Sequence, residues 1–297
     1  MSAAVSPFRP RVIALMNQKG GVGKTTTTVN LAAAIARAGH PTLVLDLDPQ
    51  AHATLGLGLD NSAGGTIYDL LHDASATPSA LREIAPNLFA IASHTDLAAF
   101  ETDLAGAPDR LARLERVLGA TERQFEFVLI DCPPSLGLLT LNALAAADEV
   151  LIPMQAHFLA LQGVGKLLET VNLLATGPQA INPRLTVAGV VLCMHDTGST
   201  HTREVVADLE AFFAQAAEQN VPWRAAKVLR PAIRRNIKLA ESPSFGKTIF
   251  DYAPQASGAE DYKQLADAFL AGRIRPEAGE PPVVVTRAAH ETTGATA

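Results

Sequence analysis

The stretch Asn17-Gln-Lys-Gly-Gly-Val-Gly-Lys-Thr-Thr26 lies between a short apolar run and a helical pattern, and it decides the fold class. Its glycines allow the backbone to wrap around phosphate groups with the N–H groups pointing inward. The N-terminus of the following helix adds partial positive charge at the same place. A strand before the loop and a helix after it favour a phosphate-binding loop over a glycine-rich turn without a ligand.

Two side chains in this loop have predicted chemical roles. Lys24 is expected to neutralise the β and γ phosphates and to contribute to catalysis, and the Thr25 hydroxyl is expected to bind magnesium. ATP and Mg²⁺ are therefore the predicted substrate and cofactor. The residues predicted to contact the nucleotide are Lys19, Gly20, Gly21, Val22, Gly23, Lys24, Thr25 and Thr26.

Short apolar runs alternate with helical patterns along most of the chain. The runs that predict strands are Val12–Asn17, Thr42–Asp48, Phe127–Asp131, Glu149–Gln155, Leu185–Met194 and Ala226–Leu229. Nearly continuous apolar runs of this length are typical of strands buried on both faces. The alternation predicts an α/β fold of the P-loop NTPase type, with a mostly parallel central sheet flanked by helices on both faces.

The chain is expected to form one ATPase domain over residues 11–273. Residues 1–10 contain two prolines and predict a flexible arm, and residues 274–297 have the composition of a disordered tail. Residues 54–110 carry weaker, alanine-rich helical patterns and predict peripheral helices. An apolar stripe over 260–270 predicts a closing amphipathic helix, and Thr25–Ala38 predicts the helix after the loop.

The composition argues against several classes of protein. The net charge of the 297 residues is −6, so any contact with nucleic acid requires a local basic patch. Cys132 and Cys193 are the only cysteines and form no Cys-x-x-Cys pair, which argues against a disulfide framework or a zinc site. The sequence shows no signal-peptide pattern and no apolar stretch of about 18–20 residues, so the expected location is the cytoplasm.

Carboxylates follow two of the predicted strands. Asp46 and Asp48 lie two residues apart at the end of the second strand, on one side of it. At the carboxyl end of a parallel sheet, beside the loop, they would face the nucleotide. Asp131 ends an apolar run in the manner of a Walker B motif, whose Asp holds magnesium. The predicted metal site comprises Thr25, Asp131 and Asp46, with Asp46 supporting either the metal or the loop.

The phosphate-binding loop departs from the standard pattern, because Gln18 stands where the first glycine is usual and Lys19 follows it. With this second lysine the sequence resembles the deviant Walker motif of the ParA/MinD family. The resemblance implies that Lys19 acts on the nucleotide of a partner subunit across a two-fold interface; contact with its own nucleotide or with solvent is the alternative. Asp46-Leu-Asp-Pro-Gln50 and Asp131-Cys-Pro-Pro-Ser135 resemble the next two family motifs, which implies that Asp48 positions the attacking water.

A basic cluster lies between Arg224 and Lys247, where seven cations are accompanied by a single acid, Glu241. In an acidic protein such a cluster is the expected footprint of a phosphate-binding surface. Phosphate contacts alone would give sequence-independent, salt-sensitive binding. Charge by itself leaves open a solvated helix face or a patch for an acidic partner. The candidate DNA contacts are Arg203, Arg230, Arg234, Arg235, Lys238 and Lys247.

The segment Ile233–Lys247 is similar to one in ParA/Soj partition ATPases, in which its basic residues help to bind nonspecific DNA. Arg234 replaces the family's proline, and His157 and Phe158 replace a Glu and a Tyr in another motif. The resemblance extends over about Arg11–Leu270. It implies an ATP-bound homodimer on nonspecific double-stranded DNA, a ParB-like activator protein, a location on the nucleoid and no stable association with a membrane.

Other functions stay open at this point. A MinD-like membrane ATPase would need an amphipathic C-terminal helix, which the tail from Pro281 does not resemble. An iron–sulfur ATPase would need bridging cysteines, whereas Cys132 and Cys193 are predicted to be small core residues. A P-loop biosynthetic enzyme would not explain the basic cluster. A ParA-like positioner of a protein cargo would carry the same motifs as a DNA-partitioning ATPase.

Overall fold

The computed structural model describes residues 9–60, 65–121, 125–196, 198 and 200–271, apart from the side chains of 158–162. The strands in this part of the chain are β1 (Arg11–Leu15), β2 (Thr42–Asp46), β3 (Arg82–Ala85), β4 (Leu88–Ile91), β5 (Phe127–Asp131), β6 (Glu149–Met154), β7 (Thr186–Leu192) and β8 (Lys227–Leu229). They form one sheet in the order β3-β4-β2-β5-β1-β6-β7-β8. All neighbouring strands are parallel except β3 and β4.

Helices cover both faces of this sheet. The α-helices are α1 (Lys24–Arg37), α2 (His52–Gly56), α3 (Ile67–His72), α4 (Thr77–Ala80), α5 (Phe100–Asp103), α6 (Arg113–Gly119), α7 (Leu138–Ala146), α8 (Phe158–Ala175), α9 (Thr200–Ala216), α10 (Ile237–Glu241), α11 (Ile249–Tyr252) and α12 (Ser257–Ala271). Short 3₁₀ segments span Ala74–Ala76, Thr95–Ala99 and Ser242–Phe245. Apolar side chains of α1 and α12 pack on one face of the sheet, and those of α6 to α9 pack on the other.

The predicted fold class is confirmed. Each predicted apolar run overlaps a strand, the helix expected over Thr25–Ala38 spans Lys24–Arg37, and the helix expected over 260–270 spans Ser257–Ala271. Strand β1 is central and fully paired, with β5 on one side and β6 on the other. Because the strands are parallel, their carboxyl ends meet at one edge, where the phosphate-binding loop follows β1.

The expectation for residues 54–110 was wrong in part, because this region contains β3 and β4 as well as helices. The two strands form an antiparallel hairpin, and Asn87 in its turn has a φ of 64°. Strand β4 then pairs in parallel with β2, which buries all four of its residues. A four-residue apolar run has the same local pattern as one turn of a buried helix, so the pairing with β2 decides its structure.

The two cysteines are core residues, as predicted. Cys132 is fully buried and Cys193 is 3% exposed, and neither forms a disulfide. Burial of both thiols provides no surface on which they could bridge a cluster between subunits. Trp223 also packs against the core. Among the described residues, no helix is long and apolar enough to cross a membrane. Residues 1–8 of the predicted arm and the predicted tail 274–297 lie outside the described residues.

Candidate active site and basic surface

The phosphate-binding loop runs from the end of β1 to the first residue of α1. Gly21 and Gly23 have φ values of 72° and 96°, a left-handed conformation that favours glycine. Gly23 caps the N-terminus of α1, and a Cβ atom added there would lie 3.1 Å from both Cβ and Sγ of Cys193. Glycine is therefore required at position 23 for both its conformation and its packing.

Unpaired backbone donors line the loop. Within the described part of the chain, no protein acceptor takes the N–H groups of Gly20 through Thr26. The Val22 side chain is buried, so this residue offers the site only its backbone. A run of free N–H groups at a helix N-terminus is the arrangement that holds a phosphate chain. The residues present therefore fit ATP at this loop.

Lys24 lies inside the loop and is 7% exposed. Its Nζ donates to the carbonyl oxygen of Lys19 at 3.2 Å, which folds the side chain back across the loop. Burial lowers the pKa of the Lys24 ammonium, and the charges of Asp131 and Asp48 act in the opposite direction. The ammonium is thus held over the position that the phosphates would occupy.

Asp131 ends β5 directly beside the first turn of α1. Its Oδ2 accepts a hydrogen bond from Thr25 Oγ1 at 2.7 Å, and its Oδ1 accepts one from Thr28 Oγ1 at 3.0 Å. Burial raises the pKa of the Asp131 carboxyl, and the nearby Asp46 adds to the effect. A cation bound here would favour the ionised carboxylate, so the site is suited to a metal ion.

The donor set fits magnesium held partly by substrate. Among the described residues, no group of three His, Cys, Asp or Glu side chains could hold a metal ion by itself. Mg²⁺ in nucleotide sites is bound through one or two carboxylates or hydroxyls together with phosphate oxygens and water. Thr25 and Asp131 provide such a partial site next to the phosphate-binding loop.

Thr28 is a site residue that the sequence analysis missed. It lies three residues after Thr25 in α1, so helical spacing places both hydroxyls on the side of the helix that faces β5. Its own side chain is fully buried, and its hydroxyl also contacts the Lys24 carbonyl at 3.1 Å. The threonine run 25–28 carried this signal in the sequence.

Replacing Thr28 by valine is expected to raise the Mg²⁺ concentration needed for half-maximal ATP hydrolysis about tenfold, the usual size of such a supporting contact. The substitution keeps the shape of the side chain but leaves Asp131 with one hydroxyl partner. Magnesium titrations of ATPase activity test this. Thr28→Ser should retain the wild-type requirement, and Thr77→Val, at a fully buried threonine remote from Asp131, is the matched control. An unchanged magnesium requirement in Thr28→Val would contradict the assignment.

Asp46 ends β2, where it pairs with Asp131 of β5, and Asp48 lies two residues further on. Asp46 Oδ2 accepts from both the backbone N–H and the hydroxyl of Thr54 at 2.7 Å, and its Oδ1 accepts from Asp48 N at 3.2 Å. Both oxygens of Asp46 therefore hold the loop that carries Asp48, which fits the loop-supporting alternative; direct ligation of metal by Asp46 stays a prediction. Asp48 is 8% exposed and accepts from Gln50 N at 2.9 Å.

Lys19 lies at the exposed rim of the loop. Asn17 Oδ1 accepts from its backbone N–H at 3.0 Å, and its Nζ lies 2.8 Å from His157 Nε2. His157 is the N-cap residue of α8, the helix that follows β6. The structure therefore brings the second lysine of the loop together with a residue in which the sequence departs from the family pattern.

The predicted DNA contacts fall into two groups. Arg230 is ion-paired with Glu210 at 2.8 Å, Lys238 with Glu241 at 2.8 Å, and Arg234 with Glu260 and Asp261. Arg234 also donates its backbone N–H to the buried Asp261 carboxylate. Arg234 therefore anchors α12 through both its backbone and its guanidinium. Arg235 and Lys247 are exposed, and neither has an ion pair among the described residues.

Among the described residues, three of the six predicted contacts have no ion pair, namely Arg203, Arg235 and Lys247. Arg203 lies on α9 and its guanidinium contacts the Thr200 hydroxyl at 3.1 Å. Arg235 and Lys247 lie on either side of α10 and of the 3₁₀ segment Ser242–Phe245. DNA binding by any of the six residues stays a prediction, and the two unpaired cations near α10 are its best candidates.

A phosphate-binding loop, a Thr–Asp pair whose oxygens suit magnesium and a carboxylate beside them are the features of a P-loop ATPase site. A family model described as an AAA domain matches residues 10–187. The chain is 41% identical to the chromosome-partitioning ATPase Soj of Treponema pallidum, covering 88% of this chain and 97% of that protein. It is 42% identical to Soj of Thermus thermophilus, covering 88% and 96%. The chain belongs to the Soj/ParA family of partitioning ATPases.

Solved structures support the assignment of substrate and cofactor. Cobyrinic acid a,c-diamide synthase of Mycobacterium smegmatis, solved with a bound ATP analogue and magnesium, is 35% identical with a TM-score of 0.71. The similarity covers 88% of this chain and 95% of that one. The protein is an ATPase that uses ATP with Mg²⁺. The synthase activity in the name of that structure is a property of that protein.

Proposed function

We propose that this protein is a DNA-partitioning ATPase that works as an ATP-dependent dimer switch. With ATP and Mg²⁺ bound, two subunits associate face to face, and Lys19 of each acts on the nucleotide of the other. The dimer binds double-stranded DNA without sequence preference on the nucleoid, in the cytoplasm. A ParB-like activator stimulates hydrolysis, which separates the subunits and releases the DNA.

The observation that carries this proposal is a pair of exposed, unpaired cations among the described residues, Arg235 and Lys247, on the ATPase domain of a Soj/ParA family member. The family name supplies the partitioning role, and the two cations supply a surface that can contact phosphates. Dimerisation places two such surfaces side by side. Since each phosphate contact adds about 0.9 to the log–log salt dependence, doubling their number raises affinity for DNA steeply.

Hydrolysis is assigned to the residues at the carboxyl edge of the sheet. Asp48 orients the attacking water, since a carboxylate held rigidly by its loop can fix a water molecule in line with the γ phosphate. Lys24 and the free N–H groups of the loop stabilise charge on the phosphate oxygens. Thr25 and Asp131 hold Mg²⁺, which neutralises charge on the same oxygens when it is bound.

The test is binding of the full-length protein to a random-sequence DNA duplex with ATP–Mg²⁺, with ADP–Mg²⁺ and without nucleotide, across a salt series. Tight binding only with ATP, weakening linearly on a log–log salt plot, is the expected result. Equal binding in all three states would contradict the switch, and no binding at low salt in any state would contradict the DNA role.

Two other functions are alternatives to DNA partitioning. A positioner of a protein cargo has the same ATPase cycle and the same DNA surface, so it differs only in the partner that the activator carries. A MinD-like ATPase would bind anionic vesicles instead of DNA in the ATP state. Co-sedimentation with such vesicles, run beside the DNA titration, distinguishes a MinD-like ATPase from the two functions that use DNA.

A further inference from the structure

The contact between Lys19 and His157 is unusual because it joins an ammonium to an imidazole nitrogen. The distance of 2.8 Å from Lys19 Nζ to His157 Nε2 is that of a hydrogen bond. An ammonium has no acceptor, so Nε2 must carry a lone pair and the ring must be neutral with its proton on Nδ1. Lys19 has no carboxylate partner among the residues that the structure describes.

Contacts of the segment Gln155–His157 hold the His157 backbone beside the phosphate-binding loop. His157 is in an extended conformation at the N-cap of α8, and its N–H donates to the Gln155 carbonyl at 3.0 Å. The Gln155 side chain reaches the Gly21 carbonyl at 3.4 Å and the Met194 sulfur at 3.0 Å. The segment after β6 thus follows the outer side of the phosphate-binding loop and presents His157 to Lys19.

We propose that His157 is a positioning residue for Lys19, which it orients without neutralising its charge. One N–H of the ammonium is taken by Nε2, and two remain for phosphate oxygens. A carboxylate at this position would form an ion pair and compete with phosphate for the same charge. This inference rests on the proposed role of Lys19 at the nucleotide.

Because of the same contact, the orientation of the Lys19 ammonium depends on pH. Protonation of His157 removes the lone pair and places two cations side by side, so Lys19 is oriented only while His157 is neutral. Burial and the charge of Lys19 both lower the pKa of His157 below its ordinary value of 6.5. Among the described residues, His201 acts on the ring in the same direction, and Glu204 lies beside His201. Positioning is therefore kept above the pKa of His157 and lost as the pH falls below it.

Steady-state ATP hydrolysis with saturating DNA tests the inference. His157→Phe removes the acceptor and is expected to lower kcat about threefold to tenfold, the effect of losing one solvent-accessible hydrogen bond, with a smaller change in KM for ATP. His157→Gln supplies an amide oxygen that does not titrate, so it should restore much of the rate and abolish the loss at acid pH. Thermal unfolding of each variant verifies its fold.

Lys19→Ala separates the two possible failures. If Lys19→Ala hydrolyses ATP like the wild type, both the role of Lys19 and the positioning role of His157 are overturned. If Lys19→Ala is impaired while His157→Phe is not, only the positioning role is overturned. In the expected result, His157→Phe causes no additional decrease in rate in the Lys19→Ala background.

Imidazole ¹⁵N NMR provides a readout independent of turnover. The expected spectrum has the proton of His157 on Nδ1, with a pKa below 6.5 that rises in Lys19→Ala because a neighbouring positive charge is gone. A proton on Nε2, or a pKa unchanged by Lys19→Ala, would overturn the contact. His72→Gln, at a histidine on α3 that contacts Asp103, is a control for the removal of a surface imidazole.

Discussion

Lys24→Ala is expected to lower kcat for ATP hydrolysis about 100- to 1,000-fold, the effect typical of removing one preorganised group that stabilises transition-state charge. Lys24 is 7% exposed and its ammonium is held at the Lys19 carbonyl, so it already lies at the loop where the phosphates would bind. Water in its place would carry no positive charge to offset the charge on the phosphates. Phosphate release at saturating ATP and Mg²⁺ measures the effect.

The control for this experiment is Lys263→Ala, which makes the same substitution at an exposed lysine on the surface of α12. Lys263 is paired with Asp267, and its side chain is 72% exposed. The control should hydrolyse ATP at the wild-type rate. Lys24→Ala should remain folded by thermal unfolding, and binding of a fluorescent ATP analogue shows whether ground-state affinity falls with kcat. Wild-type turnover in Lys24→Ala would mean that phosphate charge is stabilised elsewhere.

The double variant Arg235→Ala/Lys247→Ala is expected to weaken binding of the ATP-bound protein to DNA at least about tenfold near physiological salt. Both side chains are exposed and unpaired among the described residues, so they can bind phosphates without breaking an ion pair. Removing these two cations from each subunit should lower the log–log salt slope by about 2 per subunit, or about 4 in a dimer. A salt titration of DNA binding measures both quantities.

A matched control for this variant is Arg110→Ala/Lys166→Ala, which makes the same change in net charge on α8 and near α6. Both residues are exposed and lie outside the basic cluster. The control should keep the wild-type salt slope, because a change in net charge alone removes no phosphate contact. An identical decrease in affinity in the two double variants would show that binding depends on overall charge and not on the surface near α10.

The basic cluster also shows why charge counted along the sequence is insufficient. Seven cations and one acid are found between Arg224 and Lys247 in the sequence. In the fold, Glu210 reaches this cluster from α9, and Glu260 and Asp261 reach it from α12. These acids lie outside the cluster in the sequence, so the ion pairs that they form with Arg230 and Arg234 could not be predicted. Arg234, predicted as a DNA contact, is used to hold the buried Asp261.

The strands of the sheet also differ in how far the local sequence predicts them. The strands β1, β2 and β5 to β8 were predicted because each has a nearly continuous apolar run, a signal that lies within the strand itself. The strand β4 is just as buried, but its four residues resemble one turn of a helix. Only the neighbouring β2 provides its parallel pairing, so the hairpin of β3 and β4 is a product of tertiary structure.

Local sequence is sufficient to specify the phosphate-binding loop, the two loop lysines, Thr25 and the carboxylates that end β2 and β5. A glycine conformation, a helix start or a carboxylate at a strand end depends on a few adjacent residues. What those residues touch depends on how distant elements pack. Packing of α1 against β5 joins Thr28 to Asp131, and the position of the segment after β6 beside the loop joins His157 to Lys19. Such contacts connect segments about a hundred residues or more apart, and no local pattern encodes them.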